Sequence, residues 1–335
     1  MTAQKMIIAI ASYQRREPLL RLLGELNRQL AASAEVRRDL DVLVVLDGST
    51  DGSREAVEAA RWCVPVRVHW QENRGLAAAR NVGLEAAGGG LVWFLDDDLV
   101  PAPGLVERHR RAHDHGGPRI VVGPCRIPPG SGAPAHLVRW WDEHYAELQK
   151  AGRVDRFDRF TVANASGPAA LLRAVGGFDE SFVGYGLEDY ELAVRLLRAG
   201  ARLDFDVDAV AWHPDVPAMS VLVARQRSIG RNAARIVALH PETADTVFPI
   251  GPVPPSRRLL SMLRLRRPGS LLVLSRFAFA VCRVATGWYP TVARRAEHLS
   301  RAAAHAAGVA EGDPSGVMLA RVLGYRPAEP RRAAR

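Results

Sequence analysis

The sequence predicts an α/β protein with a mostly parallel central sheet and helices on both of its faces. Apolar runs that read as strands alternate with segments of helical periodicity, and short connections join them. The first run, MIIAIAS, is apolar almost throughout, as expected of a fully buried strand. Of the 335 residues 48% are hydrophobic and 24% are charged, which is typical of a folded, enzyme-sized protein.

The predicted elements follow one another along the first hundred residues. After the MIIAIAS strand, leucines at near-helical spacing predict a helix from about Glu17. DVLVVL and VPVRVHW are the next strands, and the turn LDGSTDGS between them opens a helix near Arg54. ENRGLAAARNVGLEAA then predicts a loop and a helix, and LVWFL predicts a fourth strand. Strands joined in this way bring their carboxyl ends to one edge of the sheet, where ligands bind.

Beyond residue 101 the alternation is looser. We expect a helix near residues 103–114, a strand in RIVVGPCRI, a helical stretch in HLVRWWDEHYAELQ and a helix that starts at GLED. The Pro-rich segment 247–258 predicts a linker to a helical C-terminal region. We therefore place one domain at residues 1–215 and an Arg-rich helical region at residues 216–335.

The net charge of +9 is concentrated in this C-terminal region. Residues 216–335 contain 19 Arg and no Lys against 6 acidic residues, whereas residues 1–215 contain 26 basic and 30 acidic residues. Such a surface suits an anionic lipid or a phosphate-bearing molecule, and a solvated Arg-rich tail is the alternative. The region has no nucleic-acid-binding motif and few interleaved aromatic residues, so we expect no nucleic-acid partner.

The three cysteines are widely spaced and odd in number, which fits neither a disulfide framework nor a CxxC metal site. The N-terminal run MIIAIA is shorter than the apolar region of a signal peptide. We therefore expect a cytoplasmic protein, with peripheral contact at the inner face of the membrane through the basic C-terminal region as a further option.

Three consecutive carboxylates, Asp96, Asp97 and Asp98, follow the LVWFL strand. Like charges at adjacent positions raise one another's pKa and resist leaving water, so this cluster needs open solvent or a cation. A cluster that stabilises a helix N-terminus is the alternative, but one acid would suffice for it. The polar residues expected at the same sheet edge are Ser12, Tyr13 and Asp47.

Six motifs occur in order between about residues 6 and 215: IIAIASYQRREPLLRLL, VVLDGSTDGS, ENRGLAAARNVGLEAA, FLDDD, GGFDESFVGYGLEDYELAVRLLRAG and AWHP. Together they resemble the family 2 glycosyltransferases, which use nucleotide sugars and have the Rossmann-like GT-A fold. One departure is that the acidic turn of the family commonly begins with two aspartates, and Leu46 stands at the first place here. The resemblance implies a nucleotide-binding half at residues 1–100 and an acceptor and catalytic half at residues 101–215.

The resemblance further implies a binding site for a nucleoside-diphosphate sugar. Asp47 is the carboxylate that would accept a hydrogen bond from the imino N–H of uracil, so we expect a UDP-sugar. Arg80 would reach the base or a phosphate, and a surface helix arginine is the alternative. The residues assigned to the nucleotide sugar are Ser12, Tyr13, Asp47, Arg80, Asp96, Asp97 and Asn164.

The same family pattern implies a divalent cation, Mn²⁺ or Mg²⁺, as cofactor. Asp98 and Asp96 are the expected carboxylate ligands, and the cation would bridge the diphosphate of the donor. His213, in VAWHPD, is the candidate third ligand, and an imidazole ligand favours Mn²⁺ over Mg²⁺. The alternative for a lone histidine is a structural role.

The helix that starts at GLED is the expected source of the catalytic base. In the inverting members of the family a carboxylate at this place takes the proton of the acceptor hydroxyl. We assign this role to Asp189, with Glu188 shaping the acceptor pocket or orienting Asp189. A charge complement to the helix N-terminus is the alternative for the pair.

These assignments predict a metal-dependent, inverting hexosyltransferase whose acceptor hydroxyl belongs to a glycan, a lipid-linked molecule or a small molecule. A retaining transferase or a nucleotide-sugar hydrolase on the same fold is the alternative, and a non-catalytic nucleotide-sugar binding protein is the third option. The apolar run 271–289 is long enough to span a membrane. However, Arg276 and Arg283 would be costly in lipid, so we expect packing on the domain or a position in the membrane interface.

Overall fold

The computed structural model describes residues 4–114, 117–131, 133, 135–215, 218–248, 255–263, 267–285, 290–313 and 315–323. The chain forms two compact units. The first contains Met1–Ser181 and Glu188–Val216, and the second contains Phe182–Leu187 and Pro217–Arg335. The short segment that precedes the GLED helix therefore belongs to the second unit, although the helix itself belongs to the first.

The first unit is an α/β unit with ten strands and eight helices in its described residues. The strands are β1 (Met6–Ser12), β2 (Leu40–Asp47), β3 (Val66–Gln71), β4 (Leu91–Leu95), β5 (Val100–Pro101), β6 (Arg119–Val122), β7 (Cys125–Arg126), β8 (Asn164–Pro168), β9 (Arg202–Phe205) and β10 (Ala211–Trp212). The helices are α1 (Arg16–Ala32), α2 (Ala34–Arg37), α3 (Ser53–Ala59), α4 (Leu76–Ala86), α5 (Leu105–Arg111), α6 (Ala135–Ala151), α7 (Ala169–Ala174) and α8 (Glu188–Arg198).

Seven strands form the central sheet in the order β3-β2-β1-β4-β8-β6-β9. The four strands from β3 to β4 are parallel, and β6 is parallel to β9. Only β8 runs antiparallel to its neighbours β4 and β6. The predicted α/β fold with a mostly parallel sheet is therefore confirmed.

The central strands are apolar on both faces because helices cover both faces. One core cluster joins the sheet to the leucines of α1, including Leu19, Leu23 and Leu26. A second cluster lies on the other face, where Phe94 packs with Leu192 and Leu196 of α8. Residues of β1, β2 and β4 that point either way are consequently buried, which explains why their sequences show no alternation.

A second, three-stranded sheet in the order β5-β10-β7 lies after the carboxyl end of β4. In it β10 pairs antiparallel with β5, with Trp212 opposite Val100. This pairing brings the residue after β10, His213, back to the residues that follow β4. A contact between positions more than a hundred residues apart thus depends on two very short strands.

The second unit is helical in its described residues. Its helices are α9 (Met219–Leu239), α10 (Ala244–Val247), α11 (Pro255–Met262), α12 (Pro268–Ala285), α13 (Pro290–Gly312) and α14 (Val317–Val322). Helices α9 and α13 approach closely through Gly230 and Gly308, where an added Cβ would overlap a backbone carbonyl of the facing helix. The confirmed helical C-terminal region is thus a packed unit in its own right.

Two boundaries in this unit differ from the sequence-based expectation. Residues 249–254 of the predicted linker 247–258 lie outside the described residues, and α11 already begins at Pro255 because proline is well tolerated in the first turn of a helix. The expected apolar helix at 271–289 is α12, which begins at Pro268 and ends at Ala285, and residues 286–289 lie outside the described residues. By length and composition alone, α12 is the one described helix that could cross a membrane.

The approach of α4 to β1 gives a test of the first unit. A Cβ added at Gly83 would lie 2.6 Å from the Cβ of Ala9, so we expect Gly83→Ala to lower the free energy of unfolding by about 1–3 kcal/mol. Gly24→Ala is the matched control, because nothing lies within 4 Å of its added Cβ and alanine favours a helix by about 0.5–1 kcal/mol. Urea unfolding of both variants measures the difference, and equal stabilities would contradict the close α4–β1 contact.

Candidate active site

The acidic residues after β4 differ in their exposure. The side chain of Asp96 is 37% exposed, whereas Asp97 and Asp98 are buried. A buried carboxylate is unfavourable without a compensating charge or hydrogen bonds. The surroundings of Asp97 and Asp98 therefore decide what this strand end can bind.

Arg15 supplies the compensating charge in this structure. Its Nη1 donates to Oδ1 of Asp97 at 2.8 Å and to Oδ2 of Asp98 at 2.7 Å. Sequence analysis did not identify Arg15, although the residue follows Tyr13 in the loop after β1, at the sheet edge where ligands were expected. Its position in the SYQRR motif was the available signal.

The pKa values of the two buried carboxylates are shifted in opposite directions. Burial raises the pKa of Asp97 to about 6, and the charge of Arg15 offsets only part of this rise. Burial also acts to raise the pKa of Asp98, but the hydrogen bond to His213 and the charge of Arg15 outweigh it and hold that pKa well below its usual range. Asp98 is therefore an ionised carboxylate at neutral pH.

Asp98 and His213 form the part of the site that could hold a metal ion. Nε2 of His213 lies 3.3 Å from Oδ2 of Asp98, and a backbone hydrogen bond from His213 N to the carbonyl of Arg126 places the residue. Oδ2 of Asp97 and Oγ of Ser12 are buried without a hydrogen-bond partner among the described residues. Within the same residues no three His, Cys, Asp or Glu side chains are grouped around one metal position. A carboxylate, an imidazole and a spare carboxylate oxygen still fit Mn²⁺ or Mg²⁺, which commonly take one or two protein ligands and the phosphates of a substrate.

Arg80 joins the end of β4 to the start of α8. Its side chain is only 5% exposed, and its Nη1 donates to Oε1 of Glu188 at 2.6 Å while its Nη2 donates to Oδ1 of Asp96 at 2.9 Å. Burial acts to lower the pKa of Arg80, but Asp96 and Glu188 raise it above its usual range. Contact with the base or a phosphate stays a prediction, because both terminal nitrogens are paired with carboxylates here.

Asp189 lies beside this ion pair at the start of α8. Its Oδ1 accepts a hydrogen bond from the backbone N–H of Tyr190 at 2.9 Å. Burial raises the pKa of Asp189 to about 7, and the negative charge of Glu188 adds to this rise more than Arg80 opposes it. The first turn of α8 thus contains one carboxylate that is paired with arginine and one that can exchange a proton near neutral pH.

The acidic turn after β2 is held by the loop that opens α4. Asp47 is buried; its Oδ1 accepts from Nε2 of Gln71 at 2.7 Å and from the backbone N–H of Arg74 at 2.9 Å, and its Oδ2 accepts from the backbone N–H of Gly75 at 2.8 Å. These bonds leave one acceptor position on Oδ2 for a further donor. Tyr13 is 51% exposed at the same strand ends.

Asn164, which the sequence analysis assigned to the nucleotide sugar, lies at the start of β8. It has no exposed surface, its Oδ1 accepts from Nε1 of Trp93 at 3.1 Å and contacts Nε2 of His109 at 2.9 Å, and its Nδ2 donates to the carbonyl of Ala209 at 2.8 Å. Burial lowers the pKa of His109 to about 3, so this imidazole is neutral. Asn164 therefore belongs to a buried polar network under the sheet edge, and contact with the sugar or the acceptor stays a prediction.

The segment Phe182–Leu187 leads directly into α8 and is held by α9 within the second unit. The backbone N–H of Tyr185 donates to Oγ of Ser228 at 2.7 Å, and Nδ2 of Asn232 donates to the carbonyl of Gly186 at 2.7 Å. The guanidinium of Arg225 lies over the ring of Tyr185, 4.2 Å from its centroid. These contacts all lie within the second unit, which ends this segment at Leu187.

Comparison with protein families identifies the chain. The family model described as glycosyl transferase family 2 matches residues 7–175, about half of the chain. The chain belongs to glycosyl transferase family 2. A second family model, described as the N-terminal domain of galactosyltransferase, matches residues 145–209 of this chain.

Curated relatives support the same conclusion. The chain is 32% identical over 271 residues to validoxylamine A glucosyltransferase from Streptomyces hygroscopicus subsp. jinggangensis, and the match covers 72% of this chain and 62% of that protein. It is 30% identical over 218 residues to pre-mycofactocin glycosyltransferase from Mycobacterium tuberculosis, covering 63% of this chain and 45% of that protein. The chain thus spans between two fifths and two thirds of the lengths of these relatives.

Solved structures confirm that the chain has the GT-A fold. The mannosyltransferase PcManGT from Pyrobaculum calidifontis, in complex with GDP-Man and Mn²⁺, matches with a TM-score of 0.54 and 19% identity over 92% of this chain and 74% of that chain. A fragment of TarS from S. aureus, in complex with UDP, matches with a TM-score of 0.52 and 18% identity over 92% of this chain and 91% of that chain. At these identities the likeness concerns the fold.

Arg15 provides a test of the site. Arg15→Met would leave two buried carboxylates without their cation, and we expect a loss of about 2 kcal/mol in the free energy of unfolding. Removing one partner of a fully buried ion pair costs about 3–5 kcal/mol. The expected loss is smaller here because the Arg15 side chain is 35% exposed. Added Mn²⁺ should restore more stability to the variant than to the wild type, since the proposed ligand Asp98 is then free of Arg15. Thermal unfolding with and without Mn²⁺ measures both effects.

The control for this experiment is Arg16→Met, which removes an exposed arginine one position away. It should change neither the stability nor the response to Mn²⁺. An Arg15→Met variant that behaves in the same way as the control would contradict the assignment of Arg15 as the cation of this site.

Proposed function

We propose that the protein transfers a hexose from a nucleoside-diphosphate sugar to an acceptor hydroxyl, with inversion at the anomeric carbon and with Asp189 as the general base. The observation that supports this most directly is the pair of carboxylates at the start of α8. Arg80 neutralises Glu188, and Asp189 beside it has a pKa raised toward neutrality. A general base works best when its pKa lies near the working pH.

The proposed step is a single displacement. The acceptor O–H gives its proton to the Asp189 carboxylate as the oxygen forms a bond to the anomeric carbon. The bond from that carbon to the diphosphate oxygen breaks on the opposite face, and its electron pair leaves with the nucleoside diphosphate. Because attack and departure occur on opposite faces, the configuration inverts and no covalent enzyme intermediate forms.

The donor diphosphate is proposed to lie at the carboxyl ends of β1 and β4. Asp98 and His213, with Asp96, would hold Mn²⁺ or Mg²⁺ there, and a bound divalent cation supplies positive charge that stabilises the departing diphosphate. The 3.3 Å separation of the Asp98 and His213 donor atoms supports this assignment. Asp96 and Asp97 remain proposed neighbours of the ribose and the donor sugar.

The base of the donor is proposed to be uracil. The free acceptor position on Oδ2 of Asp47 would take the imino N–H, which lies between two carbonyls in uracil. Ser12 and the exposed ring of Tyr13 would border the base. Arg80 would affect binding of the donor indirectly, because its ion pair holds Asp96 in place. Two curated relatives are glucosyltransferases by name, so UDP-glucose is the donor to try first.

The acceptor and the location are also proposals. The hydroxyl belongs to a glycan, a lipid-linked molecule or a small molecule, and the relatives named for validoxylamine A and pre-mycofactocin favour a small molecule as the first candidate to test. We propose a cytoplasmic location with peripheral contact at the inner face of the membrane.

Replacement of Asp189 tests the catalytic base. We expect Asp189→Asn to lower the rate of transfer about 10²- to 10⁴-fold, while the affinity for UDP and Mn²⁺ stays close to that of the wild type. In the wild type the base must be ionised, so transfer should fall as the pH decreases through about 7. Initial rates of sugar transfer across this pH range measure both effects.

Asp155→Asn, at an exposed position, is the matched control and should keep the wild-type rate and pH profile. Near-normal transfer by Asp189→Asn would refute the base role. The anomeric configuration of the product, read by NMR, separates inversion from retention.

Titration calorimetry with a panel of nucleoside diphosphates tests the donor site and the cation together. We expect UDP to bind more tightly than GDP or ADP, and to bind more tightly with Mn²⁺ than with a chelator. Asp98→Asn and His213→Ala should weaken binding in the presence of Mn²⁺ and have little effect in its absence, because both residues act through the cation. Equal UDP affinity with Mn²⁺ and with a chelator would contradict the proposed metal site.

A further inference from the structure

Helix α12 is apolar on two opposite faces. Its buried face contains Leu271, Ser275, Ala278, Cys282 and Ala285, which recur at helical spacing. The opposite face exposes large side chains, with Val273 67%, Phe277 66% and Val284 78% exposed. Adjacent large apolar side chains that are exposed in this way are typical of an interaction site, so the exposed face of α12 indicates a partner.

The charged residues on α12 and next to it in the sequence all have one sign, up to Glu297 of α13. Between residues 246 and 296 the sequence contains nine arginines and no Asp, Glu or Lys. Arg276 and Arg283 are exposed and adjoin Phe277 and Val284 along the helix, and the exposed Arg267 borders a shallow groove that Val273 and Phe277 also line. An apolar stripe beside arginines complements a surface that is apolar inside and negatively charged at its edge.

A second copy of the chain fits this face poorly. Two such faces in contact would bring arginine against arginine, and no acidic residue of α12 is available to pair with them. The charge pattern thus favours a partner that is itself anionic.

A membrane-spanning position for α12 is also disfavoured. Oγ of Ser275 donates to the carbonyl of Ser300 at 2.9 Å, and Oγ of Ser300 donates to the carbonyl of Ser275 at 2.9 Å, so α12 is fastened along one side to α13. Helix α13 contains charged residues such as Glu297 and Arg301, which could not accompany α12 into the hydrocarbon region at low cost. A helix held in this way can present only its outer face to lipid.

We propose that the exposed face of α12, formed by Val273, Phe277 and Val284 with Arg267, Arg276 and Arg283, binds the surface of a membrane that contains anionic lipids. The helix lies in the plane of the interface, with the apolar side chains at the level of the acyl chains and the guanidinium groups at the lipid phosphates. This inference is independent of the proposed sugar transfer.

The test is cosedimentation of the full chain with vesicles of phosphatidylcholine, with and without phosphatidylglycerol, at low and high salt. We expect binding to the anionic vesicles that decreases with salt. Arg276→Gln with Arg283→Gln should weaken it roughly 10- to 30-fold, and Val273→Ser with Phe277→Ser by more than about tenfold.

Matched controls remove side chains of the same kinds at exposed positions outside α12. Val221→Ser replaces an exposed apolar residue of α9, and Arg38→Gln with Arg61→Gln removes two exposed arginines of the first unit. Both controls should bind vesicles as the wild type does, and all variants should keep the wild-type circular dichroism and nucleotide affinity.

Four results would overturn the proposal. The first two are equal binding to neutral and anionic vesicles, and no binding to either. The third is self-association that the α12 variants abolish without any effect on vesicle binding. The fourth is extraction from vesicles by detergent but not by high salt or alkaline carbonate. The last would indicate a spanning helix.

Discussion

The structure depends on how the chain compensates three carboxylates at the end of a buried strand. Two arginines from different parts of the chain supply the compensating positive charge. Arg15 pairs with Asp97 and Asp98, and Arg80 pairs with Asp96. Arg15 replaces water that the buried Asp97 and Asp98 have lost, and each ion pair ties another element to the end of β4. The loop after strand β1 and helix α4 are thereby both bound to the same cluster of carboxylates.

The two arginines differ in their exposure and in the carboxylates that they contact. Arg15 is partly exposed and contacts Asp98, a proposed ligand of the divalent cation, so its guanidinium and such a cation would compete for that carboxylate. Arg80 is buried and also pairs with Glu188, so it connects the end of β4 with the first turn of α8. Through this second pair the charge at the strand end influences the carboxylate next to it, because the pKa of Asp189 responds to Glu188, Arg80 and Asp96. The expected donor and acceptor sides of the site are therefore linked by a single side chain.

The helical second unit has two features that bear on function. Its helix α9 holds the backbone of Phe182–Leu187, the segment that leads into α8, through Ser228 and Asn232. Its helix α12 uses one apolar face to pack on α13 and leaves the other exposed beside arginines. Two of the 19 arginines of residues 216–335, Arg276 and Arg283, are thus exposed on a helix whose opposite side packs on α13.

Sequence by itself determined the strands β1 to β4, the helices between them and the strand-end positions of Asp47 and Asp96 to Asp98, because hydrophobic periodicity and turn residues are local signals. The motif order was likewise sufficient to indicate the family. Only the tertiary structure decided which side chains meet. The pairing of β10 with β5 brings His213 to Asp98, the β1 loop turns Arg15 onto the acids, and the antiparallel strand β8 buries Asn164 against Trp93 and His109. These outcomes depend on contacts between residues far apart in the chain and on whether a polar atom is already paired inside the core, and no local pattern of residues encodes either one.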